Sequence, residues 1–220
     1  MIKENIKYIE DKIKDKNVLL VAVSKTKTID EILDAYKCGI RDFGENKAQE
    51  ILWKYEELPK DIRWHMIGHL QRNKVKFIID KVSLIHSVDS VRLAEEINSE
   101  AKKKEKVMDI LIQLNVSGEE SKYGLNPFES EKMILDISKM KNLRVRGLMT
   151  IAPYSENPED SRVWFKELYK FYVDIINKNI DNINMDILSM GMTGDYDVAI
   201  QEGATLIRVG TGIFGERHYE

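Results

Sequence analysis

Short apolar runs alternate with helix-period stripes eight times along this chain, and that rhythm restricts it to a parallel β/α architecture. The runs occupy residues 18–23, 40–43, 64–67, 84–88, 110–114, 143–148, 185–188 and 206–209. Each is too short to make a core helix, and the first, unbroken over 18–23, has the pattern of a strand covered on both faces. The first stripe between them is Ile29, Ile32, Leu33 and Tyr36, stopped by Gly39; the second is Ala48, Ile51, Leu52 and Tyr55. Further helices are expected through Val75 and Ile79, Leu93 to Ala101, Met133 to Met140, Val163 to Ile175, and around Val198. Ile2, Ile6, Ile9 and Ile13 mark an amphipathic helix ahead of the first strand. Closing eight strands on themselves leaves no edge to protect. The expected fold is therefore α/β, a single (β/α)8 TIM barrel spanning residues 1–220, with an extra N-terminal helix. The 220 residues are somewhat fewer than the roughly 250 typical of that fold. A doubly wound open sheet is the alternative, but no glycine-rich dinucleotide fingerprint follows the first strand.

The 34 basic and 37 acidic residues are interspersed, giving a net charge of −3, which argues against a general nucleic-acid binder. The longest basic cluster, Lys102 to Lys104, is flanked by Glu100 and Glu105 and reads as a solvated helix face. No apolar stretch approaches membrane-spanning length, and the first residues lack a signal-peptide core. Cys38 is the only cysteine, so no intramolecular disulfide can form. These features lead to the expectation of a cytoplasmic protein with neither membrane nor nucleic acid as partner.

The active face of a β/α barrel lies at the carboxyl ends of its strands, and the unusual residues of this chain gather there. Lys25 follows the first run; Gly44-Glu45-Asn46, Gly68-His69 and Ser87-Asp89 follow the next three. Asn115 to Gly118, Met149-Thr150, Ser189 to Thr193, and Gly210 to Gly212 follow the rest. A desolvated lysine at such a place can become the neutral amine that forms Schiff bases; the plainer reading is a solvated loop lysine. The loops after strands seven and eight, with Ser189, Gly191 and Thr193 facing Gly210 and Thr211, suit a phosphate held by backbone N–H groups. Taken singly they are turns with a Thr193 cap, and Asp195 and Asp197 would oppose an anion unless directed away. Arg208 stands inside an apolar strand, either as half of a structural ion pair or as a donor to a ligand's ring nitrogen or anionic group. His65 and His69 could share a strand face with His86 nearby, but satisfied histidines outweigh metal ligands at these spacings. No Gly-x-Ser-x-Gly elbow and no Walker loop is present.

These stretches, taken together and in order, resemble the pyridoxal phosphate homeostasis proteins, single barrels similar to the N-terminal domain of alanine racemase. The resemblance is carried by residues 21–26, 42–46, 64–74, 86–90, 115–122, 146–151, 189–192 and 208–215. It implies that Lys25 forms a Schiff base with pyridoxal 5′-phosphate. It also implies that Ser189, Gly191, Gly210 and Thr211 hold the phosphate, that Arg208 faces the pyridine nitrogen, and that Asn46 borders the ring. Lys27 and Lys122 are the runner-up amines for transient aldehyde capture, read more plainly as exposed loop lysines. The resemblance points to a cofactor carrier or regulator of vitamin B6 levels, expected as a monomer and without turnover, with pyridoxal-phosphate-dependent apoenzymes as recipients. The competing reading is a racemase-like enzyme. Racemisation needs an acid–base group on each face of the substrate α-carbon. Alanine racemase takes the second from a C-terminal domain that this sequence does not include. Tyr123, Tyr154 and Tyr196 are the substitutes on loops, and nothing in the sequence sets one opposite Lys25. A Schiff-base aldolase or phosphosugar isomerase on the same barrel would carry no yellow cofactor.

Overall fold

The computed structural model describes residues 1–118, 124, 125 and 127–216. Its eight strands are β1 (Leu19–Val23), β2 (Asp42–Glu45), β3 (Arg63–Met66), β4 (Val82–Val88), β5 (Met108–Leu114), β6 (Leu143–Thr150), β7 (Ile183–Ser189) and β8 (Leu206–Val209). They are parallel and close in sequence order, β8 pairing back onto β1 with Leu19 beside Leu206. The helices are α1 (Ile2–Ile13), α2 (Ile29–Lys37), α3 (Ala48–Glu57), α4 (Val75–Ile78), α5 (Val91–Lys103), α6 (Pro127–Ile137), α7 (Arg162–Asn177), α8 (Tyr196–Gln201) and α9 (Thr211–Phe214). The fold is thus a (β/α)8 barrel with a helix before its first strand. No helix among the described residues is long and apolar enough to cross a membrane.

Two separate apolar clusters follow from strand alternation. The large one lies between sheet and helices, where Phe43, Trp64 and Ile112 meet Ile32, Ile51 and Ile97. The small one, Val21, Leu84, Leu111, Met149 and Leu206, draws one residue from each of five strands and fills the barrel interior. Helix α1 buries Ile6, Ile9 and Ile13. Its Asn5 also donates to the Ile213 carbonyl at 3.0 Å. Helix α2 begins with a reciprocal capping box between Thr28 and Glu31.

Several boundaries differ from the sequence reading. Strand β2 starts and ends two residues later than expected, because Gly44 faces the barrel interior, where a Cβ would lie 3.1 Å from Val21. Strand β6 runs on through Met149 and Thr150, which the sequence suggested as loop, and Ser189 is the last residue of β7. The N-terminal ends of the strands form the floor of the barrel and their C-terminal ends its mouth.

Candidate functional site

One chain of hydrogen bonds crosses the barrel interior from floor to mouth. At the floor, Asp42 accepts from Arg63 Nε at 2.8 Å and contacts His65 Nε2 at 3.0 Å. His65 Nδ1 lies 2.9 Å from His86 Nε2, and His86 Nδ1 lies 3.0 Å from Ser189 Oγ. Arg208 then donates to Ser189 Oγ and, through its other terminal nitrogen, to the Thr150 carbonyl at 2.8 Å. Apart from Arg63, every side chain in this chain is buried.

The charges at the two ends of the chain fix part of its protonation. Burial raises the Asp42 pKa, but the hydrogen bonds from His65 and Arg63 outweigh it and hold the carboxyl below its ordinary value. An ionised Asp42 only accepts, so His65 carries its hydrogen on Nε2. Burial, followed by the charges of His65 and Arg208, pushes His86 well below its ordinary value, so His86 is neutral. Arg208 can only donate to Ser189 Oγ, so the chain has a fixed donor at its mouth and a fixed acceptor, Asp42, at its floor.

Arg208 is only 3% exposed; its hydrogen bonds go to the Ser189 hydroxyl and the Thr150 carbonyl, and Asp195 acts on it through its charge without forming an ion pair among the described residues. This answers one question left by the sequence: the structural ion pair considered for Arg208 is not there, and its partners are a hydroxyl and a carbonyl. Burial pulls its pKa down to about 10, which still leaves it charged near neutrality. Holding such a cation away from water costs on the order of several kcal/mol, an arrangement that favours a further acceptor.

The glycine loops after β7 and β8 come together as expected. Thr193 Oγ1 accepts from Gly212 N at 3.1 Å and contacts Thr211 Oγ1 at 3.1 Å. Thr193 is thus the tie between the loops; the cap position of α8 belongs to Asp195. Gly191 has φ +90, and a Cβ there would come within 2.6 Å of Ala199 Cβ. Among the described residues, the backbone N–H groups of Gly191, Gly210 and Thr211 have no protein acceptor. The two acids that threatened an anion here are occupied elsewhere. Asp195 accepts from Met192 N at 2.7 Å and from Ser161 Oγ at 3.1 Å, while Asp197 pairs with Lys12 of α1.

Ser189 closes β7 with its hydroxyl inside the barrel, between His86 and Arg208. Lys25 is half-buried immediately beyond β1, with β8 as that strand's neighbour. Asn46 lies on the other side, against β3. Gly68 packs so closely on it that a Cβ would sit 2.4 Å from the Asn46 carbonyl oxygen. It lines a shallow pocket with His69, Gln71 and Lys74, apart from the Arg208 group.

Lys27 is held by Glu31 at 3.0 Å and is nearly covered. Lys122 and Tyr123 lie outside the described residues. Tyr154 is exposed, while Tyr196 opens α8 and is buried. His69 does not join His65; its ring contacts Asp89 at 3.4 Å. Among the described residues no group of three or more histidine, cysteine or acidic side chains could hold a metal.

The sequence reading missed Lys54, which is fully buried on α3. Its ammonium donates to the Ser24 carbonyl at 2.8 Å, Glu45 Oε1 at 2.7 Å and Glu50 Oε2 at 2.9 Å. The signal was present: Lys54 is three residues from Ile51 on the buried stripe, and four from Glu50.

The sequence profile of the family Alanine racemase, N-terminal domain, matches residues 1–218. The chain belongs to this family, and within it groups with the pyridoxal phosphate homeostasis proteins. The one from Aquifex aeolicus is 46% identical over 201 residues, covering 91% of this chain and 87% of the relative. The human one is 39% identical, covering 91% and 77%. Among solved structures, PipY of Synechococcus elongatus with PLP bound is 33% identical, with a TM-score of 0.90 over 98% of this chain and all of that one. Alanine racemase of Clostridium difficile, 15% identical with a TM-score of 0.77, shares the fold over 57% of its own length.

Proposed function

We propose that this protein binds pyridoxal 5′-phosphate at the barrel mouth and acts in its homeostasis, with Lys25 as the attachment point. The observation that carries the reading is Arg208: a buried guanidinium in the barrel, held by neutral groups alone, at the end where the strands present their loops. The residues fit the cofactor in two further respects. Packing does not demand glycine at position 210, where a Cβ would make ordinary contact with Val23 at 3.4 Å; close approach by a ligand would. Gly191, Gly210 and Thr211 offer N–H groups suited to phosphate oxygens. The names of the relatives and the cofactor-bound PipY neighbour support the same reading.

When bound, the cofactor supplies an aldehyde that condenses with a primary amine and releases water. Lys25 provides that amine. Arg208 can only donate, so a ring nitrogen facing it accepts a hydrogen bond and stays unprotonated. An uncharged ring is a weaker sink for carbanion charge, which favours holding the cofactor over turning substrate over. Ser189 keeps Arg208 in place, and the glycine loops retain the phosphate. In this reading the protein is a cytoplasmic carrier that works as a monomer and releases the cofactor to apoenzymes.

The test is borohydride reduction of the protein with pyridoxal 5′-phosphate, followed by peptide mapping. The modified lysine is expected at position 25. Lys25→Ala should abolish the imine absorbance while leaving weaker, phosphate-driven binding. Modification at another lysine, or an unchanged spectrum in the variant, would refute the assignment. Absence of deuterium exchange at the α-carbon of added amino acids is the result expected of a carrier.

A further inference from the structure

The turn bearing Lys25 is fastened on both sides to a single buried charge cluster that the binding reading does not use. On one side, the Ser24 carbonyl accepts from Lys54, and the Ser24 hydroxyl donates to Glu45 Oε1 at 2.6 Å. On the other, Thr26 N donates to Glu50 Oε2 at 2.8 Å. Glu50 and Glu45 are themselves joined by the Lys54 ammonium. Three side chains from β2 and α3 thus hold the peptide groups before and after Lys25.

The backbone shows what this fastening maintains. Thr26 has φ +63, a left-handed conformation that β-branched residues avoid. Such a conformation persists only where the surroundings impose it, and it concentrates at functional positions. The cluster is also a poor choice for stability alone. Lys54 is completely buried, and burial raises the Glu45 pKa to about 7 against the opposing pull of Lys54. Glu45 Oε2 has no hydrogen-bond partner. Apolar side chains of similar size could fill the same space without desolvating ions.

We propose that Lys54, Glu45 and Glu50 are positioning residues for Lys25, fixing the strained turn at Thr26 so that the amine leaves the backbone in the direction needed to meet an aldehyde. The inference rests on Lys25 being the attachment point. It assigns the α3 cluster to the imine-forming half of binding and leaves the phosphate-holding half to the loops after β7 and β8.

The experiment separates those halves with two ligands. Pyridoxal 5′-phosphate can condense with an amine; pyridoxine 5′-phosphate has the same phosphate and an alcohol in place of the aldehyde. Glu50→Ala removes the Thr26 anchor at the partly exposed edge of the cluster, where unfolding is least to be feared. It should lower borohydride-trapped cofactor at position 25 by about tenfold or more, as small misplacements of reacting groups do. Its affinity for pyridoxine 5′-phosphate should be unchanged. Glu50→Gln retains an oxygen acceptor for Thr26 N and should recover most of the trapping. Equal loss for both ligands, no loss for either, or no recovery in the glutamine variant would overturn the positioning role. If the unmodified protein is trapped at a lysine other than 25, the attachment reading fails, and this inference with it.

Discussion

At the floor of the barrel, Arg63 forks onto Asp42, while Arg144 and Arg146 converge on Asp109 at 2.6 and 2.7 Å. At the mouth, Arg208 meets only a serine hydroxyl and a backbone carbonyl. The same residue type is neutralised at one end of the sheet and left unneutralised at the other. Forked arginine–carboxylate pairs tie strand beginnings together and leave no affinity for a further anion. A buried guanidinium with neutral partners keeps that affinity. The contrast separates groups that hold the barrel together from groups available to a ligand, a division familiar from barrels of this kind.

The largest effect that would sharpen the contrast is expected at the floor. Asp42→Ala leaves the buried His65 and the half-exposed Arg63 without their acceptor, and stranding a buried hydrogen-bonding group costs about 2 kcal/mol. Urea unfolding should show the loss, and a shift below about 1 kcal/mol would show that the floor pairs are not structural. At the mouth, Arg208→Met removes a desolvated charge together with its hydrogen bonds to Ser189 and Thr150. The two changes oppose one another, so stability should move by only about 1 kcal/mol. Cofactor retention and absorbance should change clearly. A stability loss as large as that of Asp42→Ala, at unaltered affinity, would erase the distinction between the two ends.

The smallest effect is in pH dependence, where two buried carboxyls have opposite signs. Asp42 titrates below its ordinary 3.8 in the fold, so its contribution is present above that pH and is lost as pH falls through the folded value. Glu45 titrates near 7 instead of 4.5, so the folded protein favours its protonated form. Stability from this group is fully present below pH 4.5 and declines as pH rises toward 7. Glu45→Gln should flatten that decline when urea midpoints are compared at pH 5 and 8, without altering the loss in acid. An identical slope in both proteins would mean that Glu45 does not titrate in this window.

Much of the barrel was legible in the sequence because short apolar-rich runs and helix-period stripes report burial directly. All eight strands and their order followed from that signal. The boundaries at β2 and β6 did not, since Gly44 and Thr150 resemble loop residues until the opposing strand is known to crowd them. The glycine loops were legible as a pair, through residue type and their position after β7 and β8. The hydroxyl contacts of Ser189 were not, because its partners are His86 and Arg208, 103 and 19 residues away. Lys54 escaped for a different reason: a lysine in a charged helix reads as solvent-facing, although its spacing from Ile51 puts it on the buried stripe and Glu50 lies one turn away.

Arg208 is the fixed end of the buried file that runs down to Asp42: its guanidinium can only donate, and arginine does not give up a proton near neutrality. The Ser189 oxygen has two lone pairs and its hydroxyl one hydrogen, so the imidazoles below can share their protons in either direction without changing what the upper end presents. A visitor to the upper end meets a donor every time, whatever the acidity outside.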